Sequence, residues 1–119
     1  RRVHLAEGTA EHLVPHVAAI TACRTARRAC ELPTRGQGKA LVRRAPYLIP
    51  FAGGRQHFQT LPAYALAQGE VDPAFVRGRT VLVGATATGL GDAYATPMAE
   101  RGVLMPGVEI NAHIVAGLA

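Results

Sequence analysis

Four side chains in the carboxyl-terminal third have types suited to joint chemistry: Asp92, Glu100, Glu109 and His113. Glu109 and His113 are four residues apart, so a helix would carry both on one face. A carboxylate beside an imidazole can do general acid–base work. The competing expectation is structural. Glu109 would lie in the first turn of its helix, where the dipole favours a negative charge, and Asp92 is an ordinary turn residue. His12 and His16 share the same four-residue step, but Pro15 lies between them and zinc needs at least three protein ligands, so no metal site is expected there. Gly84, Gly89 and Gly91 do not give the G-x-G-x-x-G spacing of a dinucleotide site. Gly36, Gln37, Gly38 and Lys39 lack the length and the Ser/Thr of a phosphate loop. Spacing therefore assigns no catalytic residue and no cofactor. The enzymatic alternative is a small α/β enzyme fragment using Asp92, Glu109 and His113, which requires the three to converge on one pocket.

The element expected to position these residues is the stretch from Thr80 to Asp92. Val81, Leu82 and Val83 run without interruption into Gly84, the pattern of a strand covered on both faces. The following loop of Gly, Ala and Thr would leave backbone groups accessible at the carboxyl end of that strand, where open α/β sheets place their ligands. Residues 2–5 alternate and suggest an edge strand, followed by a turn at residues 7–9. Pro15 suits the first turn of a helix with Val14, Val17, Ala18, Ile20 and Thr21 on its apolar face and Arg24, Arg27 and Arg28 near its end. Residues 31–39 read as a surface loop. Tyr47, Leu48 and Ile49 form a second strand, with Pro46 and Pro50 marking its limits or a sheet edge. A short helix follows, with Thr60 as a candidate cap and its end at Gly69. Asp72 and Pro73 give a cleaner start for the next helical turn. Residues 108–118 form a last, mostly apolar helix that should be well covered. Strands alternating with helices indicate an α/β fold with a small parallel or mixed sheet flanked by helices. Three strands make a meagre sheet, so the chain is expected to be part of a larger domain.

At 119 residues the chain is expected to form a single domain over residues 1–119. Its formal charge of +5 comes from twelve Arg and one Lys against eight acidic residues. Without clustering, such a total does not make a nucleic-acid surface, and a nucleic-acid reading would rest on Arg24, Arg27 and Arg28 alone. No apolar run approaches the ~20 residues of a membrane span. The opening Arg1–Arg2 without an initiator Met suggests an excised piece. Cys23 and Cys30 are the only cysteines. On one continuous helix their Cα atoms would lie about 10 Å apart, too far for a disulfide. A bond requires the helix to end before Cys30, and both the bonded and the thiol states stay open.

Several blocks, taken in order, resemble one family. Gly78–Arg79–Thr80–Val81–Leu82–Val83–Gly84–Ala85–Thr86–Ala87, then Gly89–Leu90–Gly91–Asp92, Ala95–Thr96–Pro97 and Met105–Pro106–Gly107–Val108–Glu109–Ile110 are similar to the C-terminal block of CHASE2 sensor domains. Upstream, Leu48–Ile49–Pro50–Phe51–Ala52–Gly53 and Tyr64–Ala65–Leu66–Ala67–Gln68–Gly69 resemble the part that precedes it, and Arg1–Arg2–Val3 with the following helix resembles the family's middle. The likeness departs at Asn111–Ala112–His113, where the family commonly shows His, Ala, Asn. It implies the C-terminal portion of an extracytoplasmic ligand-sensing input domain, periplasmic or at the cell surface, non-catalytic, from a bacterial transmembrane receptor. Such receptors end in a cytoplasmic output such as a histidine kinase or a nucleotide cyclase. The positions that carry over as ligand-binding are Thr86, Gly91, Asp92, Thr96 and Glu109. The implied partners are a small-molecule or environmental signal and a second copy of the chain, with membrane anchoring in the parent protein and no nucleic acid.

Overall fold

The computed structural model describes residues 1–38, 40–87, 89–99 and 102–119. They form two compact units, one of Arg1–Phe51 with His113–Ala119 and one of Ala52–Ala112. The architecture is mixed α/β, as expected, but its sheets are antiparallel.

In the first unit, β1 (Arg2–Gly8) is the middle strand of three, between β2 (Leu13–Pro15) and β3 (Val42–Leu48). The alternation at residues 2–5 does mark a strand, but a central one. It also continues through Glu7 and Gly8, and the chain turns only at residues 9–12, where the Thr9 N–H donates to the His12 carbonyl at 2.9 Å. Ala6, Leu13 and Val42 make a small buried cluster on this sheet. Glu7 faces Arg43 across the β1–β3 ladder, and their side chains pair at 2.7 Å. Half-exposed as both are, such a pair contributes only ~0.2–1 kcal/mol. The second expected strand starts earlier than Tyr47 and runs through Pro46. Pro46 cannot donate to a ladder, and β3 accommodates it by lying at the sheet edge. The residue before it, Ala45, takes φ 51°.

Helix α1 (Val17–Thr25) begins later than Pro15 suggests, because Pro15 pairs with Ala6 as the last residue of β2. The cap is His16, whose Nδ1 accepts from the Ala18 N–H at 3.2 Å. The buried face is Ala18, Ala19 and Ala22, while Val17 and Ile20, expected inside, are exposed. The buried stripe is made of alanines, whose small side chains allow close approach. The helix stops at Thr25, and this frees the chain to bring Cys30 back to Cys23, with Cα atoms 5.4 Å apart and the sulfurs bonded.

Burial holds the His16 imidazole below its ordinary pKa, and the charge of Glu7 opposes that shift. The cap also needs the Nδ1 lone pair, which protonation removes. The unfolded chain therefore takes up the proton at a higher pH than the folded chain does. The stability contributed by His16 is complete above about pH 6.5 and is lost progressively as pH falls below that value. His16→Asn, which caps without titrating, should flatten this acid limb in urea melts between pH 7 and pH 5. An unchanged limb would show that His16 is not its source.

In the second unit, α2 (Ala63–Ala67) is capped by Pro62 without a side-chain hydrogen bond. Thr60, the expected cap, turns back to donate to the Phe58 carbonyl at 3.1 Å. A 3₁₀ turn, Pro73–Phe75, follows the expected design, with Asp72 Oδ1 accepting from the Ala74 N–H at 2.9 Å. Arg79 lies over the Phe75 ring, 5.5 Å from its centroid. Strands β4 (Ala93–Tyr94) and β5 (Met105–Pro106) pair antiparallel and lead into α3 (Gly107–Leu118). Met105 and Pro106, expected as extended punctuation, are thus a strand.

The central expectation fails. No strand includes residues 80–83, and Val81 and Val83 are 51% and 83% exposed. A strand covered on both faces needs neighbours for its backbone groups. The described strands of this unit, β4 and β5, are two residues each and pair with one another. A run of aliphatics records a demand for burial without naming the partner that meets it. Gly84 nevertheless lies against the last helix, since a Cβ there would meet the Val108 side chain at 2.5 Å. Helix α3 is buried at Ile110, His113, Ile114 and Val115, in line with the expected cover.

Candidate functional site

The second unit holds a cavity of about 240 Å³ lined by Gly54, Arg55, Thr96, Met98, Ala99, Val103 and Met105. Its size exceeds the ~150 Å³ that accommodates a benzene ring and falls short of the ~300 Å³ lower end of drug-sized pockets. The walls are mostly apolar. Thr96 brings a hydroxyl, and its Oγ1 is shut off from solvent without a hydrogen-bond partner among the described residues. A buried hydroxyl in that state carries a desolvation penalty of ~1–3 kcal/mol. Arg55 supplies the cationic group among the described lining residues.

Each wall traces to a local cause. Met105 is 2% exposed, fixed by β5 through its pairing with Tyr94. Gly54 and Arg55 sit in a turn in which the His57 N–H points back to the Gly54 carbonyl, 3.3 Å away. Gly53 permits that turn, because a Cβ at this position would run into the His57 ring. The same His57 N–H donates to Glu109 Oε1 at 3.1 Å. Glu109 in the first turn of α3 therefore holds the turn that delivers Gly54 and Arg55 to the cavity. It positions the wall without lining it.

Asp92 acts at the same helix start. Its carbonyl accepts from the Gly107 N–H at 2.9 Å, closing the β4–β5 pair. Its carboxylate lies where a Cβ on Gly107 would be, a negative charge at the positive end of a helix. The β5 strand joins the two features covalently: Met105 forms a wall of the cavity, and Gly107 is the first residue of α3.

Among the five residues expected to bind a ligand, Thr96 lines the cavity. Glu109 and Asp92 organise the helix start next to it. Thr86 and Gly91 are exposed and line no part of it. Gly91 has φ 73° with open space where a Cβ would project, so its glycine serves the backbone turn. Glu100 lies outside the described residues.

His113, the base of the enzymatic alternative, is 0% exposed, and its ring is tilted against Phe51 with centroids 5.2 Å apart. A side chain closed to solvent has no substrate proton to exchange, so it reads as packing. Glu109, its helical neighbour, is engaged with the His57 N–H. Among the described residues no group of three His, Cys, Asp or Glu could hold a metal ion. No described helix is long and apolar enough to cross a membrane. Arg55, Met98, Ala99 and Val103 were missed in the sequence. The glycines at 53 and 54 do signal a turn there, but nothing in the spacing says that this turn meets Thr96.

The CHASE2 domain family model matches residues 1–119, the whole chain. No curated protein and no solved structure matches it.

Proposed function

The chain belongs to the CHASE2 family of extracytoplasmic sensor domains, and on that premise we propose that it is the non-catalytic, ligand-sensing input module of a bacterial transmembrane receptor. The whole-chain family match carries this reading. The disulfide between Cys23 and Cys30 supports an oxidising, extracytoplasmic setting.

The signal site is the cavity at Thr96. A small molecule with an apolar body would fill it, with Arg55 as the charged group in the wall. Such a ligand bears on Met105 and so on the start of α3, where Asp92 and Glu109 fix the helix. A receptor responds only by as much as its ligand prefers one state over the other, so the helix start must differ between the two states. Cytoplasmic output of a kinase or cyclase type, membrane anchoring and pairing with a second copy complete the proposed setting. Thr86 and Gly91 remain proposed as ligand-binding positions in the loop before β4.

The test is receptor output in the intact protein. Thr96→Val keeps shape and removes the hydroxyl, while Glu109→Ala releases the 54–57 turn and Asp92→Ala discharges the helix start. All three should alter the response to stimulus, with Glu109→Gln, which retains an acceptor, closest to the unchanged receptor. Output unaffected by all three substitutions would exclude this region as the signal site. Turnover of any substrate by the isolated domain would contradict the non-catalytic reading.

A further inference from the structure

The first unit contains a second cavity, of about 370 Å³, with the Cys23–Cys30 disulfide in its wall beside Ala19, Ala22, Arg28 and Leu118. Cys23 is half-buried in α1, and Cys30 is exposed. Both cysteines line the cavity, which has room for an incoming thiol.

The loop that the bond closes has a mechanical task. Between the cysteines, the Ala26 N–H donates to the Ala22 carbonyl at 2.9 Å and the Arg28 N–H to the Cys23 carbonyl at 3.0 Å. Arg27, a residue with a Cβ, is held at φ 50°, a conformation that persists only when its surroundings impose it. The outcome is the placement of Arg28, whose Nη2 donates to the Leu118 carbonyl at 2.7 Å. That carbonyl belongs to the last turn of α3, where the helix itself supplies no partner. A cation there also complements the helix dipole. The disulfide loop therefore acts as a clamp on the end of α3.

We propose that Cys23–Cys30 is a thiol–disulfide exchange site for a dithiol reductant and that its reduction releases the Arg28 clamp. One thiolate of the dithiol attacks the Cys30 Sγ from the cavity, the Cys23–Cys30 bond breaks, and Cys23 leaves as a thiolate that takes up a proton. The second thiol of the reductant, as its thiolate, then attacks its own sulfur in the mixed disulfide and expels Cys30, which is protonated in turn. Two electrons and two protons pass to the pair, and the reductant departs as a disulfide. Arg28 lines the same cavity and offers its charge to the departing thiolate. The reduced state is also provided for, since Cys30 Sγ lies 3.5 Å from the Ala19 carbonyl, an acceptor for the new S–H. None of this draws on the cavity at Thr96, so failure of a ligand there leaves it standing.

The experiment treats the chain with graded dithiothreitol, counts thiols by maleimide trapping, and follows hydrogen exchange in the oxidised and reduced protein. Both cysteines should become reactive together while the protein stays folded. Amides at the end of α3 should then exchange at least tenfold faster, with those of β1 unchanged. Arg28→Gln in the oxidised chain should reproduce the acceleration at α3 without adding thiols. Cys23→Ser with Cys30→Ser supplies the permanently open form if reduction proves slow. A disulfide that resists dithiothreitol until the whole chain unfolds would overturn the proposal. So would an α3 end equally protected in both redox states, or loss of β1 protection together with α3.

Discussion

Ile114→Ala should lower stability by about 2–5 kcal/mol, the range for removing a large aliphatic from a closed core. Ile114 is 1% exposed, in a buried run with His113 and Val115. Truncation there leaves a void that backbone held in the middle of α3 has little freedom to fill. By contrast, Val17, at 60% exposure, should change stability by no more than ~0.5 kcal/mol on truncation. Urea unfolding of the two variants side by side checks both figures. Equal losses would mean that α3 is not packed as described. The comparison bears on function because α3 is the element through which the proposed signal would leave the domain.

Loss of the disulfide should rank next. Cys23 and Cys30 are seven positions apart, and closing so short a loop in the unfolded chain is worth about 2–3 kcal/mol. Cys23→Ser with Cys30→Ser should show that loss in urea, and reduction of the unchanged protein should show nearly the same. A much smaller loss would mean that the bond restrains the unfolded chain less than its loop length implies. The exchange site proposed above tolerates a loss of this size only if the rest of the first unit stays folded.

The parts legible in the sequence were those set by local physics. Asp72 capping Pro73–Phe75 needs only the three residues that follow it, and it is found as expected. The apolar run from residue 108 marks α3 almost to its ends. The family's motifs were legible too, and the family match spans the chain. Features set by distant partners were not legible. The aliphatic run at 81–83 has the composition of a central strand, yet nothing local says whether a neighbour will arrive to pair with it. Alternation at residues 2–5 shows a strand, but its central place depends on β2 and β3, which lie later in the chain. Pro15 satisfies two rules at once, helix start and strand end, and its pairing with Ala6 decides between them. At the candidate site, Thr96 was singled out on resemblance, and Glu109 as a residue of the first helical turn. Arg55 escaped because its place in the wall depends on the contact between His57 and Glu109.

In the proposed receptor, the cavity beside Met105 controls the start of α3. The most direct measurement fills that cavity from within. Ala99→Phe in the intact receptor would occupy much of the space bounded by Thr96, Val103 and Met105. Resting output should change and the response to stimulus should be lost, with the domain still folded. Output matching the unchanged receptor, both at rest and under stimulus, with the domain folded, would contradict it.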